Sequence, residues 1–181
     1  SQCLSKVHTG ADGKRFVVDG KATLFRCFDT SQEAVYPSVY NMRLRNFNIL
    51  RQAKTTSTML DRLTEALPAR AGVVRLHVAG DIFSPHYFKA LTELARLNPD
   101  VLFYAYTKSL RYWIADRARV RRLDNLVLTA SYGGRDDDLI KRHRFGLLGS
   151  SIAPIRHGRS ACRLTMMTAT QPTRYDLGNR S

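Results

Sequence analysis

Residues Val73 to Ser109 read VVRLHVAGDIFSPHYFKALTELARLNPDVLFYAYTKS, and this stretch decides the fold. Val73 to Ala79 is an apolar run that ends in Gly80-Asp81. Ser84-Pro85 opens a helix, and Asn98-Pro99-Asp100 stops it, because Pro suits a first helical turn and not an interior. A second apolar run, Val101 to Tyr106, ends in Thr107-Lys108-Ser109. The pattern is strand, helix, strand, with polar residues at the carboxyl ends of both strands. In parallel sheets and (β/α) barrels that edge carries the chemistry.

The unit repeats. Leu110, Trp113, Ile114 and Leu123 predict a helix over Leu110–Leu123, and LVLTASY predicts a third strand over Leu126–Tyr132. Gly133-Gly134 follows it, and a further helix starts near Asp136. Alternating strands and helices of this length predict a parallel α/β sheet with right-handed crossovers. A complete eight-unit barrel takes about 250 residues. The expected fold is therefore α/β, with parallel βα repeats forming a partial, TIM-barrel-like sheet behind a helical and turn-rich N-terminal portion.

Within the first strand a period of two places Leu76 and Val78 on one side. It places Arg75, His77, Ala79 and Asp81 on the other. In the following helix, Phe88, Leu91, Leu94 and Ala95 form the buried stripe.

Upstream, Thr9 to Lys14 reads as a loop and Asp19-Gly20 as a hairpin turn. That pairs Arg15–Val18 with Thr23–Phe28 and brings Cys3 towards Cys27. Helices are expected over Tyr36–Ala53, with Val39, Met42, Leu44, Phe47, Ile49 and Leu50 as a broad apolar face, and over Thr58–Leu67, capped by Thr55-Thr56-Ser57. After Phe145 the pattern decays into a basic tail, with room for one more strand near Cys162–Met167. The expected organisation is one domain over 1–181: a turn-rich segment at 1–35, helices and βα repeats at 36–145, and the tail at 146–181.

Lys and Arg total 29 against 15 Asp and Glu, a formal net charge of +14. A polyanion such as DNA or RNA is an expected partner, although an incidental solvated surface also accounts for the charge. No apolar run approaches the roughly 20 residues that cross a bilayer. No signal-peptide pattern opens the chain, and three scattered cysteines are not a disulfide framework. A cytoplasmic protein is expected. The oligomeric state is not legible. The chain starts at Ser1 without a Met, which reads as a fragment or a trimmed chain.

Candidate site residues gather at the strand ends. Asp81 follows Gly80 and precedes a helix N-terminus, so it serves either as a ligand or metal group or as a loop cap. His77 beside a carboxylate is either an acid–base group or a hydrogen-bonded interior histidine. Lys108 suits a phosphate or carboxylate. Thr107, Ser84 and Ser131 complete the rim, with capping as the plainer role for the serines. Cys3 and Cys27 are either cluster or zinc ligands or ordinary thiols, since no CxxC pair is present. Asp136, Asp137 and Asp138 suit a first helical turn. Tyr104, Tyr106, Tyr112 and Trp113 suit base stacking or a core. Arg117, Arg119, Arg121 and Arg122 suit phosphate contacts or a solvated helix end.

RLHVAGDIFSPHYFKAL (Arg75–Leu91) followed by FYAYTKSLRYW (Phe103–Trp113) resembles the phage "gene product 88" family of mycobacteriophages, other phages and mobile elements. CLSK, FRCF and YPSVYNMRLRNFNIL resemble that family's N-terminal part. The likeness covers about Cys3 to Phe145. The family's N-terminal cysteines and βα repeats are in turn similar to radical S-adenosylmethionine enzymes. That resemblance implies an iron–sulfur cluster and S-adenosylmethionine as cofactors, with Cys3 and Cys27 as cluster ligands; Asp81, His77 and Lys108, placed by their strand ends, are then the catalytic or ligand groups. The family usually carries a further cysteine just before the position of Cys3, and its usual ending differs from this tail.

Overall fold

A computed structural model describes residues 4–21, 23, 26–143 and 145, together with the backbone of Leu164–Met167. The N-terminal part is an antiparallel hairpin of β1 (Ser5–Thr9) and β2 (Arg15–Asp19), with Ser5 opposite Asp19. The turn lies at residues 10–14 and not at Asp19-Gly20, which corrects the pairing expected from sequence. Gly13 takes φ 77° there, Gly10 N–H donates to the Lys14 carbonyl, and the Asp12 carboxylate accepts from Lys14 N–H. Those local bonds make Thr9–Lys14 the stronger turn. Phe28 therefore opens a helix, α1 (Phe28–Val35), in a region expected to be turns.

Two longer helices follow. Pro37 starts α2 (Pro37–Gln52), and a Thr55–Thr58 capping box starts α3 (Thr56–Ala66). The reciprocal bonds of such a box satisfy two orphan backbone donors. The apolar face expected on α2 is only partly covered: Leu50 is buried, while Met42, Leu44 and Phe47 are exposed.

The sheet is parallel, in the order β5-β4-β3-β6. It contains β3 (Val73–Leu76), β4 (Leu102–Thr107), β5 (Leu126–Ala130) and the short β6 (Leu164–Met167). Helix α4 (Pro85–Leu97) links β3 to β4, and α7 (Asp137–Arg142) follows β5. The helix expected over Leu110–Leu123 is two pieces, α5 (Leu110–Ala115) and α6 (Arg117–Val120). Asp116 breaks it at φ −119°, ψ 26°, outside helical values.

The sheet does not close, which corrects the barrel-like expectation. A closed barrel has no edge strands, whereas among the described residues this sheet ends in β5 on one side and β6 on the other, and the two do not pair. β3, β4 and β5 step outward one way, and β6 lies on the far side of β3, with Val73 opposite Leu164. The strand order therefore reverses at β3. In open α/β sheets the crevice beyond the carboxyl ends at such a reversal is where ligands bind.

One face of the sheet meets helices. Val74, Leu76, Phe103 and Leu126 pack with Phe88, Leu91 and Leu94 of α4 and with Met59 and Leu63 of α3. Val74, Phe103 and Leu94 have no exposed surface, so this layer holds most of the hydrophobic stabilisation. The other face bears Val73, Arg75, Tyr104, Tyr106, Val127 and Thr129, and none of these belongs to an apolar core. No helix among the described residues is long and apolar enough to cross a membrane.

Candidate functional site

Strand β3 ends earlier than its sequence suggests. His77 takes φ 56°, the left-handed region, where Cβ crowds the backbone and costs a β-extended chain its alternation. The expected placing of Arg75, His77 and Asp81 on one face is thereby overturned. Arg75 stays on the open face. The His77 ring turns towards α4 instead, where its Nε2 lies 2.8 Å from the Tyr87 hydroxyl and the two rings meet edge to face at 5.4 Å. Tyr87 belongs to the buried core.

Gly80 follows with φ 80°, a conformation glycine adopts without penalty, and delivers Asp81 to the tip of β4. The Asp81 carboxylate accepts three hydrogen bonds. Oδ1 receives Ile82 N–H at 2.7 Å and Thr107 Oγ1–H at 2.6 Å, and Oδ2 receives Lys108 N–H at 2.7 Å. Thr107 Oγ1 accepts in turn from Ser109 N–H at 3.0 Å, and Ser109 Oγ donates to the Ile82 carbonyl at 2.7 Å. Both Thr107 and Ser109 are buried. Asp81 thus stitches the loop after β3 to the end of β4. Ser131 N–H donates to the Thr107 carbonyl at 2.9 Å, which brings the tip of β5 to the same rim. Ser84 Oγ accepts from Tyr87 N–H at 3.1 Å and caps α4.

The electrostatics at this rim are unevenly settled. Burial pulls the His77 imidazole below its ordinary value, opposed by the nearby Asp81 charge. Burial also pushes the Tyr87 phenol up, with Asp81 adding to it. The His77 Nδ1 is sealed from water and has no hydrogen-bond partner. Buried polar atoms are satisfied in the great majority of cases, so an orphan beside a strained backbone is unusual. Asp29 of α1 reaches the same edge. Burial raises its carboxyl, opposed by the Arg43 guanidinium, the Gly80 N–H, and the charges of Arg75 and Lys108. Arg43 is occupied: it donates to the Asp29 carbonyl, the Gln32 amide and the Glu33 carboxylate.

Arg75 and Lys108 form no ion pair among the described residues. Lys108 lies over the Gly133-Gly134 turn, where a Cβ on Gly134 would come within 2.9 Å of the Lys108 Cβ. Asp137 holds that turn by accepting from both glycine N–H groups at 2.9 Å. Asp136 is buried and accepts from the Arg111 guanidinium, so these acids have structural partners. On the open face the Arg75 guanidinium sits 5.6 Å from the Tyr106 ring centroid, and its Nε has no hydrogen-bond partner.

The sequence-derived residues divide accordingly. Gly80, Asp81, Ser84, Thr107, Lys108 and Ser131 share the strand-tip rim, and His77 stands behind it against α4. Cys27 caps α1, with its N–H donating to Ser5 Oγ at 3.2 Å. Cys3 lies outside the described residues. Among those residues no three His, Cys, Asp or Glu side chains come together as a metal site. Two concavities among the described residues, of about 400 Å³ and 290 Å³, lie around Gln52 at the end of α2 and contain none of the rim residues. Asp29, Arg43 and Tyr87 were not singled out from sequence. Tyr87 carried a signal, since it stands one helical turn inside Ser84-Pro85, but Asp29 and Arg43 reach the rim only through tertiary packing.

A family model described as Gene product 88 matches residues 9–171, which includes most of the tail that looked unlike the family's ending. The Gene 88 protein of Mycobacterium phage L5 is 35% identical over 127 residues, covering 66% of this chain and 51% of that protein. The Gene 88 protein of Mycobacterium phage D29 is 32% identical over the same length and coverage. The chain therefore spans about half the length of these relatives. No solved structure matches it. With a match across nearly its whole length, the chain belongs to the gene product 88 family.

Proposed function

We propose that this chain provides an enzyme-like ligand site at the C-terminal edge of its sheet, around the tip of β3, and that the ligand is an anion carrying phosphate or carboxylate. The observation that carries this reading is His77: a non-glycine residue in a left-handed conformation, with an orphaned buried nitrogen, at the strand where the sheet order reverses. Backbone strain concentrates at sites where geometry serves binding or reaction. Lys108, without an ion partner on the same rim, supplies the charge for an anion. Burial favours the uncharged His77 imidazole, which offers a ring nitrogen behind the rim as a hydrogen-bond donor or acceptor. Asp81, saturated by three protein donors, is a positioning residue that fixes the Lys108 backbone.

Titration with inorganic phosphate, followed by the NMR resonances of His77, Gly80 and Lys108, tests this. Saturable shifts confined to the β3 and β4 tips are expected, and Lys108→Ala should remove them. Unmoved resonances, or shifts that persist in Lys108→Ala, contradict the reading. A second reading, DNA or RNA binding, is favoured by a different observation: the net charge of +14 together with an arginine, Arg75, that forms no ion pair among the described residues and lies against Tyr106 on the helix-free sheet face. It predicts affinity that falls steeply with added salt.

A further inference from the structure

The second reading gains a specific surface. We infer that the helix-free face of the sheet, at Arg75, Tyr104 and Tyr106, is a stacking platform for single-stranded nucleic acid. The inference rests on the nucleic-acid reading and goes beyond it by naming the surface and the form of the polymer.

Three observations converge on this face. First, β-strand alternation leaves it uncovered among the described residues. Val74, Leu76 and Phe103 enter the core on one side, while Arg75 pairs in register with Tyr104 on the other, and Tyr104 with Val127. Second, its aromatic rings are available. Tyr106 is 53% exposed, and Tyr104 lies edge to face with it at a centroid distance of 6.4 Å. An exposed tyrosine in mid-sheet has no core role, and a flat π-face is what an unstacked base lies against. Third, the face carries a positive group: Arg75 is its sole ionised residue among the described side chains and sits over the Tyr106 ring, its Nε buried, while the Asp29 carboxylate of α1 acts on it from the rim. An arginine held in that way can stack beside a base and bond to a phosphate at once. Lys108 continues the positive charge to the strand tips without a carboxylate partner among the described residues.

The occupant that fits is one in which flat rings alternate with negative charges. A single strand has that pattern. A duplex hides its ring faces, and an apolar peptide has no charge to complement Arg75.

Fluorescence anisotropy with a labelled thymidine oligonucleotide, and with a hairpin duplex of equal length, tests the inference at low salt. The single strand should bind more tightly than the duplex. Tyr106→Ala and Arg75→Ala should each weaken it by about tenfold, within the range for loss of one stacked base. Tyr106→Phe should retain binding, and Arg121→Ala, on the exposed end of α6, should change it by less than about twofold. Circular dichroism confirms that each variant is folded, and the exposure of Tyr106 makes its truncation mild. Full binding by Tyr106→Ala overturns the platform while leaving nucleic-acid binding standing. Equal affinity for duplex and single strand also overturns it. No binding at low salt removes both. A dimer in sedimentation that Tyr106→Ala dissociates overturns the inference in favour of a second copy on this face.

Discussion

The two edges of the parallel sheet are built from similar parts and end in different states. At the amino-terminal edge a single amide does the joining: Asn125 Nδ2 donates to the carbonyls of Ala95, Asn98 and Val101 at 2.9–3.0 Å. It ties the end of α4 and the start of β4 to the start of β5. Around it the strands are regular, with Leu102 N–H bonded to the Gly72 carbonyl and Phe103 N–H to the Asn125 carbonyl. At the carboxyl edge Asp81 does the corresponding work for the tips of β3 and β4. Yet that edge also holds a left-handed histidine with an orphaned nitrogen, a glycine at φ 80° and a lysine without an ion partner among the described residues. A clamp for stability alone has no need of these. The contrast teaches that one edge is a fastening and the other is a fastening with chemistry left over.

The largest expected effect falls on the carboxyl clamp. Asp81→Ala removes an acceptor for three donors, one of them on buried Thr107. Hydrogen bonds to a charged group are each worth about 1.5–3 kcal/mol, so a loss of about 3 kcal/mol in chemical denaturation is expected after partial relaxation. The amino edge should be the less sensitive. Asn125→Ala leaves three carbonyls without their amide donor, and carbonyls tolerate under-satisfaction better than donors do. About 2 kcal/mol is expected by the same measurement.

Smaller effects sharpen the contrast at the turn itself. A Cβ at Gly80 meets nothing within 4 Å, so Gly80→Ala isolates backbone strain from packing. The left-handed region costs a non-glycine residue about 1–2 kcal/mol, and a destabilisation of about 1 kcal/mol is expected. A still smaller effect is a pH slope. Folding holds His77 below its ordinary value of 6.5, so the unfolded chain takes up the proton more readily. The stability this group supports is present above that value and is lost as pH falls below it. Denaturation midpoints should therefore drop on acidification from pH 6.5, and His77→Asn should flatten that part of the profile.

Much of this architecture was legible in the chain. The β3–α4–β4 unit follows from its apolar runs, from Ser84-Pro85 as a start and from Asn98-Pro99 as a stop. Leu164–Met167 falls inside the last strand expected from sequence. What was not legible shares a physical cause. The His77 ring is held by its bond to Tyr87, a contact far along the chain that alternation does not reveal, so the strand was carried three residues too far, to Ala79 instead of Leu76. The hairpin register turned on hydrogen bonds inside Thr9–Lys14 that composition does not rank above Asp19-Gly20. Helix α1 has too few apolar residues to announce itself. The break at Asp116 sits inside an apolar pattern that reads as continuous. Closure of the sheet was misjudged because no residue states whether the outer strands, β5 and β6, meet. At the rim, Asp81 and Lys108 were found because they follow strands, whereas Asp29 comes from a helix far back in the chain.

A paired comparison of His77→Asn and Asn125→Ala, each measured for stability and for phosphate binding, tests the central claim most directly. Asparagine accepts left-handed backbone at little cost, so His77→Asn should stay within about 1 kcal/mol of the parent while phosphate affinity falls several-fold. Asn125→Ala should do the reverse, with stability down by about 2 kcal/mol and phosphate affinity unchanged. If both variants lose stability and neither alters binding, the carboxyl edge is no more than a second fastening, and the proposed site at β3 is contradicted.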